Sequence, residues 1–250
     1  MFTPSVIHHR SCEGSACHVF LPDHFGMLCW NVYKNNLKQA AFRPWLHSLV
    51  KQKKIELLLF QEASFESGGR FALSGFAYDA AANLEFAGAF YGVLTASSVE
   101  SKRSRAYLSK SRESLIGPHK SLLLSRFSFA DGSKLLVLNI HAINFRENQS
   151  YAKEIDGFME YIKEYDGPLI VAGDFNSWNR ERQLKIARER KALSLKSVPF
   201  KQKQKIKSFM GNTLDFIFYR GLELLESEVI DGHGLSDHNP LFASFRKISK

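Results

Sequence analysis

Short apolar runs that stop at a polar residue constrain the fold of this chain more than any other feature of its sequence. The central run lies between Pro168 and Asn176 and has the sequence PLIVAGDFN. Consecutive apolar residues between turn signals are typical of a strand buried on both faces, and Gly173 allows the backbone to turn where the strand ends. Alternate residues of a strand share a face, so Asp174 and Asn176 are predicted to point the same way.

Five other apolar runs carry polar residues in a similar way. The groups at their ends are amides, carboxylates or imidazoles, namely Asn31, Glu62, His141, Asp215 and the pair Asp237 and His238. Taken alone, Asn31 also fits a turn, Asp215 the cap at the start of a strand, and His141 a hydrogen-bonded structural histidine. Their repetition at the ends of buried strands predicts that they meet in one site made of metal ligands and proton-transfer groups.

Length and composition are those of one globular domain. The 250 residues are 44% hydrophobic, and no Pro-, Gly- or Ser-rich linker divides them. We predict an N-terminal arm over residues 1–26 and a single domain over 27–250. No apolar stretch approaches the roughly 18 to 20 residues of a membrane span, and the first 25 residues lack the apolar segment of a signal peptide, so a cytoplasmic location is predicted. No obligate protein partner is evident from the sequence.

The net charge of +9 is concentrated in one segment. Residues 180–207 hold eleven basic and two acidic residues, which leaves 23 of each sign in the rest of the chain. Such a cluster attracts the phosphate backbone of nucleic acid, and Arg180 and Arg182 at its start are predicted to bind substrate. The same charge, mixed with apolar residues between 183 and 195, also fits an anionic membrane surface, and a solvated basic helix is the structural alternative.

Periodicity places helices between the predicted strands. Apolar residues at helical spacing predict helices over residues 37–53, with Asn36 as the cap, and over 147–165. The polar, basic stretch 101–112 is predicted to be a surface turn. Strands that alternate with helices and hairpins favour two sheets packed face to face with helices outside.

The order of the polar residues resembles that of the endonuclease/exonuclease/phosphatase superfamily, whose fold is typified by deoxyribonuclease I. The motifs that carry the resemblance are Asn31, Gln61-Glu62, His141, Gly173 to Asn176, Leu214-Asp215 and Ser236 to His238. The match spans about residues 27 to 246, and the stretch from Leu214 to Leu222 is most similar to an uncharacterised bacterial branch. The resemblance implies an α/β fold, a four-layer sandwich of two mixed β-sheets packed face to face with helices outside.

A divalent cation suits the chemistry that this resemblance implies. A hard cation lowers both barriers to phosphodiester hydrolysis, which are the repulsion of the nucleophile and the charge on the leaving oxygen. Mg²⁺ prefers oxygen ligands and needs one or two carboxylates, so Glu62 is the predicted direct ligand, and Mn²⁺ is expected to substitute. The superfamily pattern places Asn31 and Asp237 in the same metal shell.

The remaining motif residues are suited to proton transfer and charge stabilisation. Asp174 and Asn176 on one face can deprotonate and orient the attacking water. The resemblance pairs His238 with Asp215, which would set the imidazole tautomer and raise its basicity. His141 is predicted to donate to the developing negative charge. Asp174 and His238 are both candidates for the general base, and the sequence leaves that choice open.

Substrate contacts are predicted at two further residues. Asn144, three residues after His141, is expected to face the phosphate, and Lys120 is either a phosphate neighbour or a solvated loop lysine. The predicted function is a divalent-metal-dependent nuclease. The alternatives are a phosphodiesterase or phosphatase acting on lipid headgroups or small phosphoesters, and an inactive nucleic-acid-binding module. His141 stands where abasic-site repair relatives have a tyrosine, which argues against repair specificity.

Overall fold

The computed structural model of the chain describes residues 6–10, 17–66, 71, 73–112, 119–144 and 147–248, with the backbone alone for 6–10 and 110–112. The first of two large sheets contains β1 (Val6–Arg10), β2 (His24–Asn31), β3 (Ile55–Phe65), β4 (Ala77–Phe86), β5 (Ala89–Ser97), β14 (Leu222–Val229) and β15 (Leu241–Lys247). The second contains β6 (Arg103–Arg112), β7 (His119–Ser128), β8 (Lys134–His141), β9 (Leu169–Asp174), β10 (Lys196–Ser197) and β13 (Asp215–Arg220). Strands β11 (Ser208–Phe209) and β12 (Asn212–Thr213) form a separate hairpin, and the helices are α1 (Phe42–Lys53), α2 (Asn148–Glu160) and α3 (Arg180–Ala192).

Both large sheets are mixed. The first has the order β1-β4-β5-β3-β2-β15-β14, in which β2 and β3 are parallel, and the second has the order β10-β13-β9-β8-β7-β6, in which β8 and β9 are parallel. Helix α1 connects β2 to β3 and helix α2 connects β8 to β9, which is the crossover that parallel strands require. Each sheet therefore has two central strands whose carboxyl ends lie at the same edge.

The core divides into layers that follow the two sheets. The inner faces meet in a buried cluster with Met27 and Leu59 from the first sheet and Val137 and Ile170 from the second. A further cluster packs α1 on the outer face of the first sheet, and another packs α2 and α3 on the outer face of the second. The predicted four-layer α/β sandwich is confirmed.

The predicted helix boundaries need two corrections. Helix α1 begins at Phe42 with Ala41 at its N-cap, so the prediction that Asn36 caps it is wrong. Asn36 instead accepts a hydrogen bond from Ser64 N (2.8 Å) and donates one to Ser64 O (2.6 Å), which ties the loop after β2 to β3. Helix α2 ends at Glu160, five residues earlier than predicted.

Of the helices in the described ranges, not one combines the length and the apolar character needed to cross a membrane.

Most of the basic stretch 101–112 is a strand, so the prediction of a surface turn is wrong. It forms β6, which pairs antiparallel with β7 at the edge of the second sheet. Arg103 and Arg105 are exposed there. Charged residues are a usual feature of edge strands because they prevent pairing with another chain, so the polarity that suggested a turn has a different cause.

Candidate active site

A pocket of about 620 Å³ opens where the carboxyl ends of the central strands meet. Nine of the twelve residues predicted from the sequence as site residues line it, and the three that do not are Asp215, Arg180 and Arg182. Pairing explains how the strands converge. His141 at the end of β8 lies opposite Asp174 at the end of β9, and Asp215 at the start of β13 lies opposite the same aspartate from the other side.

Gly173 allows β9 to deliver Asp174 to the pocket. Its φ is 146°, and a Cβ built at this position would lie 1.9 Å from the backbone oxygen of Ile140 on β8. A side chain at this position is excluded both by the backbone conformation and by the close approach of β8. The glycine seen in the sequence is therefore required by the packing of the two parallel strands.

Asp174 lies at the centre of the pocket's polar contacts. Its Oδ2 accepts a hydrogen bond from Asn31 Nδ2 (3.0 Å), which joins the two sheets, and its Oδ1 accepts one from Asn176 N (2.9 Å). The same Oδ2 is 3.9 Å from both His141 Nε2 and His238 Nε2. Burial and the negative charge of Asp215 raise the pKa of Asp174 against the opposing effect of His238, so its carboxylate is more basic than usual.

His238 and Asp215 form the pair that the resemblance implied. His238 Nδ1 is 2.8 Å from Asp215 Oδ2, and Trp30 Nε1 donates to the backbone oxygen of His238 (2.8 Å). Burial by itself would lower the pKa of His238, but the adjacent Asp215 carboxylate reverses this effect and raises it to about 9. The imidazole is therefore protonated at neutral pH, with its Nε2–H on the side of Asp174.

His141 has the opposite electrostatic character. Burial and the nearby Lys120 ammonium group lower its pKa well below the usual value. Lys120 Nζ is 3.2 Å from His141 Nε2, and a neutral imidazole accepts a hydrogen bond from an ammonium group at that atom. Because His141 accepts at Nε2 and is neutral, the positive charge beside it is carried by Lys120.

The Glu62 carboxylate lies at the wall of the pocket, between the side chains of Lys34 and His141. Its Oε2 is 3.3 Å from Lys34 Nζ, and its Oε1 is 3.7 Å from His141 Nε2. Asn176 is also held in place, because its Nδ2 donates to Ala142 O (2.8 Å). The loop after β8 and the loop after β9 are thus joined beside the carboxylates.

Backbone strain is concentrated around this pocket. The described non-glycine residues with positive φ number nine, and four of them line the pocket, namely Tyr33 (48°), Lys34 (60°), Glu62 (50°) and Asn176 (47°). Such a conformation costs on the order of 1 kcal/mol or more for a residue other than glycine. Asparagine adopts this conformation more readily than other residues, but Tyr33, Lys34 and Glu62 have no such preference, so the surrounding structure must impose it on these three.

Three predicted residues have surroundings that differ from the prediction. Arg182, which was predicted to bind substrate, is buried (1% exposed), and its Nη1 donates to Ile143 O (3.2 Å) and Asn176 O (2.9 Å). Arg180 is exposed and lies outside the pocket lining. Asp237 lines the pocket but forms an ion pair with Lys207 (2.8 Å).

The basic segment mostly faces away from the pocket. Of its eleven basic residues, all within the described ranges, Lys207 lines the pocket. Helix α3 carries several of the others on the outer layer, where Lys185 pairs with Glu189 (2.8 Å). The segment as a whole is therefore a surface charge around the site and not its wall.

Several pocket residues were not found by the sequence reasoning. Lys34, Lys207, Tyr33, Trp178 and Phe209 all line the pocket. Three of them could have been suggested by their positions in the sequence. Tyr33 and Lys34 lie within three residues after Asn31, and Trp178 lies within three residues after Asn176. Loop side chains of this kind show no periodicity, so only the fold reveals which of them turn towards the site.

A buried polar bridge behind the pocket was also missed. Gln61 Nε2 donates to Asn139 Oδ1 (2.7 Å), and Asn139 Nδ2 donates to Phe60 O (3.2 Å) and Leu94 O (3.0 Å). Gln61 and Asn139 are on different sheets and both are 0% exposed. Buried amides that satisfy one another in this way specify the alignment of the two sheets, and hence of the residues at their edges.

The donor set of the pocket fits a hard divalent cation. Among the described residues, Asp174, Asp215 and His238 have ligand atoms within 4.8 Å of one another. This group is better suited to proton transfer than to metal binding, because Asp215 is bonded to His238 and a protonated imidazole has no lone pair for a metal. Glu62 and Asn31 supply the carboxylate and amide oxygens that Mg²⁺ prefers.

Comparisons with known proteins agree with this geometry. The sequence model of the Endonuclease/Exonuclease/phosphatase family matches residues 28–238. A UPF0294 protein of Vibrio cholerae is 32% identical over 232 residues, which are 92% of this chain and 80% of that protein. This match is in line with the bacterial branch predicted from the sequence.

Solved structures are similar over most of the chain. An endonuclease/exonuclease/phosphatase family protein from Bacteroides thetaiotaomicron superposes with a TM-score of 0.67 at 15% identity, over 90% of this chain and 98% of that one. The TDP2 of D. rerio, in complex with a single strand DNA product, superposes with a TM-score of 0.63 at 16% identity, over 90% and 99% of the two chains. At these identities the likeness shows the sandwich fold.

Proposed function

Because this chain belongs to the endonuclease/exonuclease/phosphatase family, we propose that it is a divalent-metal-dependent nuclease, which cleaves phosphodiester bonds of nucleic acid. Cleavage of phosphoester bonds is the chemistry that the nucleases and phosphatases of this family have in common. One observation carries the proposal for this chain. Asp174 Oδ2 lies 3.9 Å from both His141 and His238 in a pocket that Glu62 also lines.

Glu62 and Asn31 would hold the cation, with the predicted Asp237 further out in the same shell because it pairs with Lys207 (2.8 Å). A bound Mg²⁺ or Mn²⁺ polarises the phosphoryl group and stabilises charge on the leaving oxygen. The side chain of Glu62 is 19% exposed, so the carboxylate is accessible from the pocket. Its present neighbour Lys34 is a flexible cation that can turn towards a phosphate instead.

Asp174 is our choice for the general base. Its raised pKa makes it a better proton acceptor than an ordinary carboxylate, and Asn176 and Asn31 hold both of its oxygens in place. His238 instead carries a proton, because the Asp215 carboxylate raises the pKa of the imidazole, and it would donate from Nε2 to a phosphoryl oxygen. The two groups thus have different roles because their environments shift their pKa values in ways that suit acceptance and donation.

Lys120 takes over the role that the sequence suggested for His141. Lys120 is buried (7% exposed) with its ammonium group beside the imidazole, and it lines the pocket, so it would place a positive charge against the phosphate. His141 would orient that ammonium group through Nε2. Asn144 also lines the pocket and remains the predicted phosphate contact beside it.

Nucleic acid is the substrate that the charge distribution supports. Lys34 and Lys207 line the pocket, and the segment 180–207, which has a net charge of +9 and in which Arg182 is buried, adds mainly positive charge to the surrounding surface. A polyanion would be attracted by both the pocket lysines and the surrounding surface charge, whereas a small phosphoester would contact the pocket lysines alone. The relative TDP2 of D. rerio was solved with a single strand DNA product, which is consistent with this substrate class.

The test is hydrolysis by the purified protein of plasmid DNA, single-stranded DNA, RNA, a small chromogenic phosphodiester and a phospholipid headgroup substrate, with Mg²⁺, Mn²⁺ or EDTA. Binding of the same nucleic acids is measured in EDTA. At least one of the nucleic acids should be cleaved with either metal, and all should be left intact in EDTA. The variants Glu62→Gln and His238→Gln should lose the activity at least 100-fold, the scale of lost proton-transfer and charge-stabilising groups. His233→Gln is the matched control, because His233 is exposed and pairs loosely with Asp231 (3.8 Å).

Each other outcome has a clear meaning. Turnover of the lipid or of a small phosphoester alone would assign the protein to the phosphodiesterase and phosphatase members of the family. Binding of nucleic acid with no turnover of any substrate would support the inactive binding module. Equal activity of Glu62→Gln and the wild type would refute the assignment of the metal ligand.

A further inference from the structure

Exposed aromatic side chains surround the mouth of the pocket. Phe209 is 58% exposed and Tyr33 is 54% exposed, yet both line the same cavity as Asp174. Trp178 lies beside Phe209 in an edge-to-face contact, with ring centroids 6.3 Å apart. Exposed apolar groups that lie together at the edge of a pocket are a common feature of ligand-binding surfaces.

Hydrogen bonds hold the backbone at Phe209 beside the pocket. It lies on the hairpin β11–β12, whose two connecting residues, Met210 (φ 50°) and Gly211 (φ 79°), have the positive φ of a tight primed turn. Met210 is 73% exposed and adopts a conformation that is costly for a residue with a side chain. Asn212 Nδ2 donates to Trp178 O (2.9 Å), which fastens the hairpin to the loop after β9.

The charges around the aromatic groups select a phosphate-bearing occupant. Lys207 precedes the hairpin and lines the pocket, and Lys201, Lys203 and Lys205 are exposed in the segment just before it. On the other side, Lys34 Nζ lies 5.7 Å from the ring centroid of its neighbour Tyr33. Alternating aromatic rings and cations are the combination that binds single-stranded nucleic acid, because bases stack on the rings and phosphates pair with the cations.

We propose that the hairpin Ser208–Thr213 is a base-binding platform, on which Phe209, supported by Trp178, stacks an unpaired base adjacent to the cleaved phosphate. The inference rests on the proposed nuclease function and specifies its substrate as single-stranded or unpaired nucleic acid. In a duplex the faces of the bases are covered by their neighbours, so the platform has nothing to stack on. An intact duplex is therefore a poor substrate.

The experiment measures binding and cleavage separately. Binding of a fluorescently labelled oligothymidylate is followed by anisotropy in EDTA, beside the same strand with abasic residues and a duplex of equal length. Cleavage of the three is then compared with Mn²⁺. The wild type should bind the strand with bases at least about tenfold more tightly than the abasic strand, which is the scale of one stacked base.

Substitutions at Phe209 distinguish stacking from plain apolar contact. Phe209→Ala and Phe209→Leu should both lose the preference for the strand with bases, and Phe209→Trp should keep it. Phe20→Ala is the matched control, because Phe20 is also exposed (45%) and its neighbour Leu21 bridges to Phe129, at the opposite end of β8 from His141. This variant should bind as the wild type does, and thermal unfolding checks that each variant is folded.

The outcomes separate the two levels of the proposal. Wild-type binding by Phe209→Leu would show that the ring is not required and would overturn base stacking. Equal cleavage of single strands, abasic strands and duplex, unchanged in Phe209→Ala, would also overturn the platform while leaving the nuclease proposal intact. Failure to cleave or bind any nucleic acid, together with binding to anionic vesicles that depends on Phe209, would reject both and assign the hairpin to a membrane surface.

Discussion

Replacement of Asp215 by Asn should remove a pH-dependent part of the protein's stability. In the folded chain, the contact with the Asp215 carboxylate raises the pKa of His238 from 6.5 to about 9. A difference of roughly 2.5 units corresponds to about 3 kcal/mol. The histidine of the folded state keeps its proton up to pH 9, whereas the unfolded chain releases it near 6.5. This stabilisation is therefore complete below pH 6.5 and is lost as the pH rises from 6.5 to 9.

The assay is urea unfolding of the wild type and Asp215→Asn in EDTA at pH values from 6 to 9.5. The free energy of unfolding of the wild type should exceed that of Asp215→Asn by an amount that shrinks by about 3 kcal/mol across this range. Histidine NMR should show the fall in the pKa of His238 directly. Asp231→Asn is the control, since the Asp231 and His233 side chains are 65% and 69% exposed, and it should leave the pH dependence unchanged. Parallel pH profiles of the wild type and Asp215→Asn would refute the reasoning.

Three further substitutions test other parts of the structure. Gly173→Ala should destabilise the protein by about 3 kcal/mol or more, because the added Cβ would lie 1.9 Å from Ile140 O at a φ of 146°, and urea unfolding measures this loss. Arg182→Met should cost about 3 kcal/mol through the lost hydrogen bonds to Ile143 O and Asn176 O, whereas the exposed neighbour variant Arg180→Met should change the unfolding free energy by less than about 0.5 kcal/mol. Lys120→Met should lower kcat at least tenfold at unchanged thermal stability in a hydrolysis assay, and equal kcat values would show that this ammonium group does not contact the reacting phosphate.

Much of the fold and the site followed from the order of apolar runs and polar residues. The runs that end at Asn31, His141 and Asp174 are β2, β8 and β9, and these three strands end at those residues. Strands buried on both faces have an apolar pattern that ends sharply, so the residue after the last apolar one can be identified without a structure. The pattern failed at β6, where an edge strand carries arginines and resembles a turn.

The surroundings of the predicted residues could not be read from the sequence. Arg182 and Arg180 are two positions apart in a basic segment, yet the first is buried under the site loops and the second is exposed. His141 and His238 are both histidines near strand ends, yet one loses its proton beside Lys120 and the other keeps it beside Asp215. A pKa depends on charges within a few ångströms, and the sequence does not give those distances.

The sequence by itself determined which strands form the core and which chemical groups stand at their ends, because burial imposes a pattern that can be read along the chain. Only the tertiary structure decided which groups face one another. It placed Asn31 of one sheet 3.0 Å from Asp174 of the other, and it brought the hairpin with Phe209 to the mouth of the pocket. These contacts join residues more than 30 positions apart, and their geometry follows from the packing of two twisted sheets and not from any local preference of the chain.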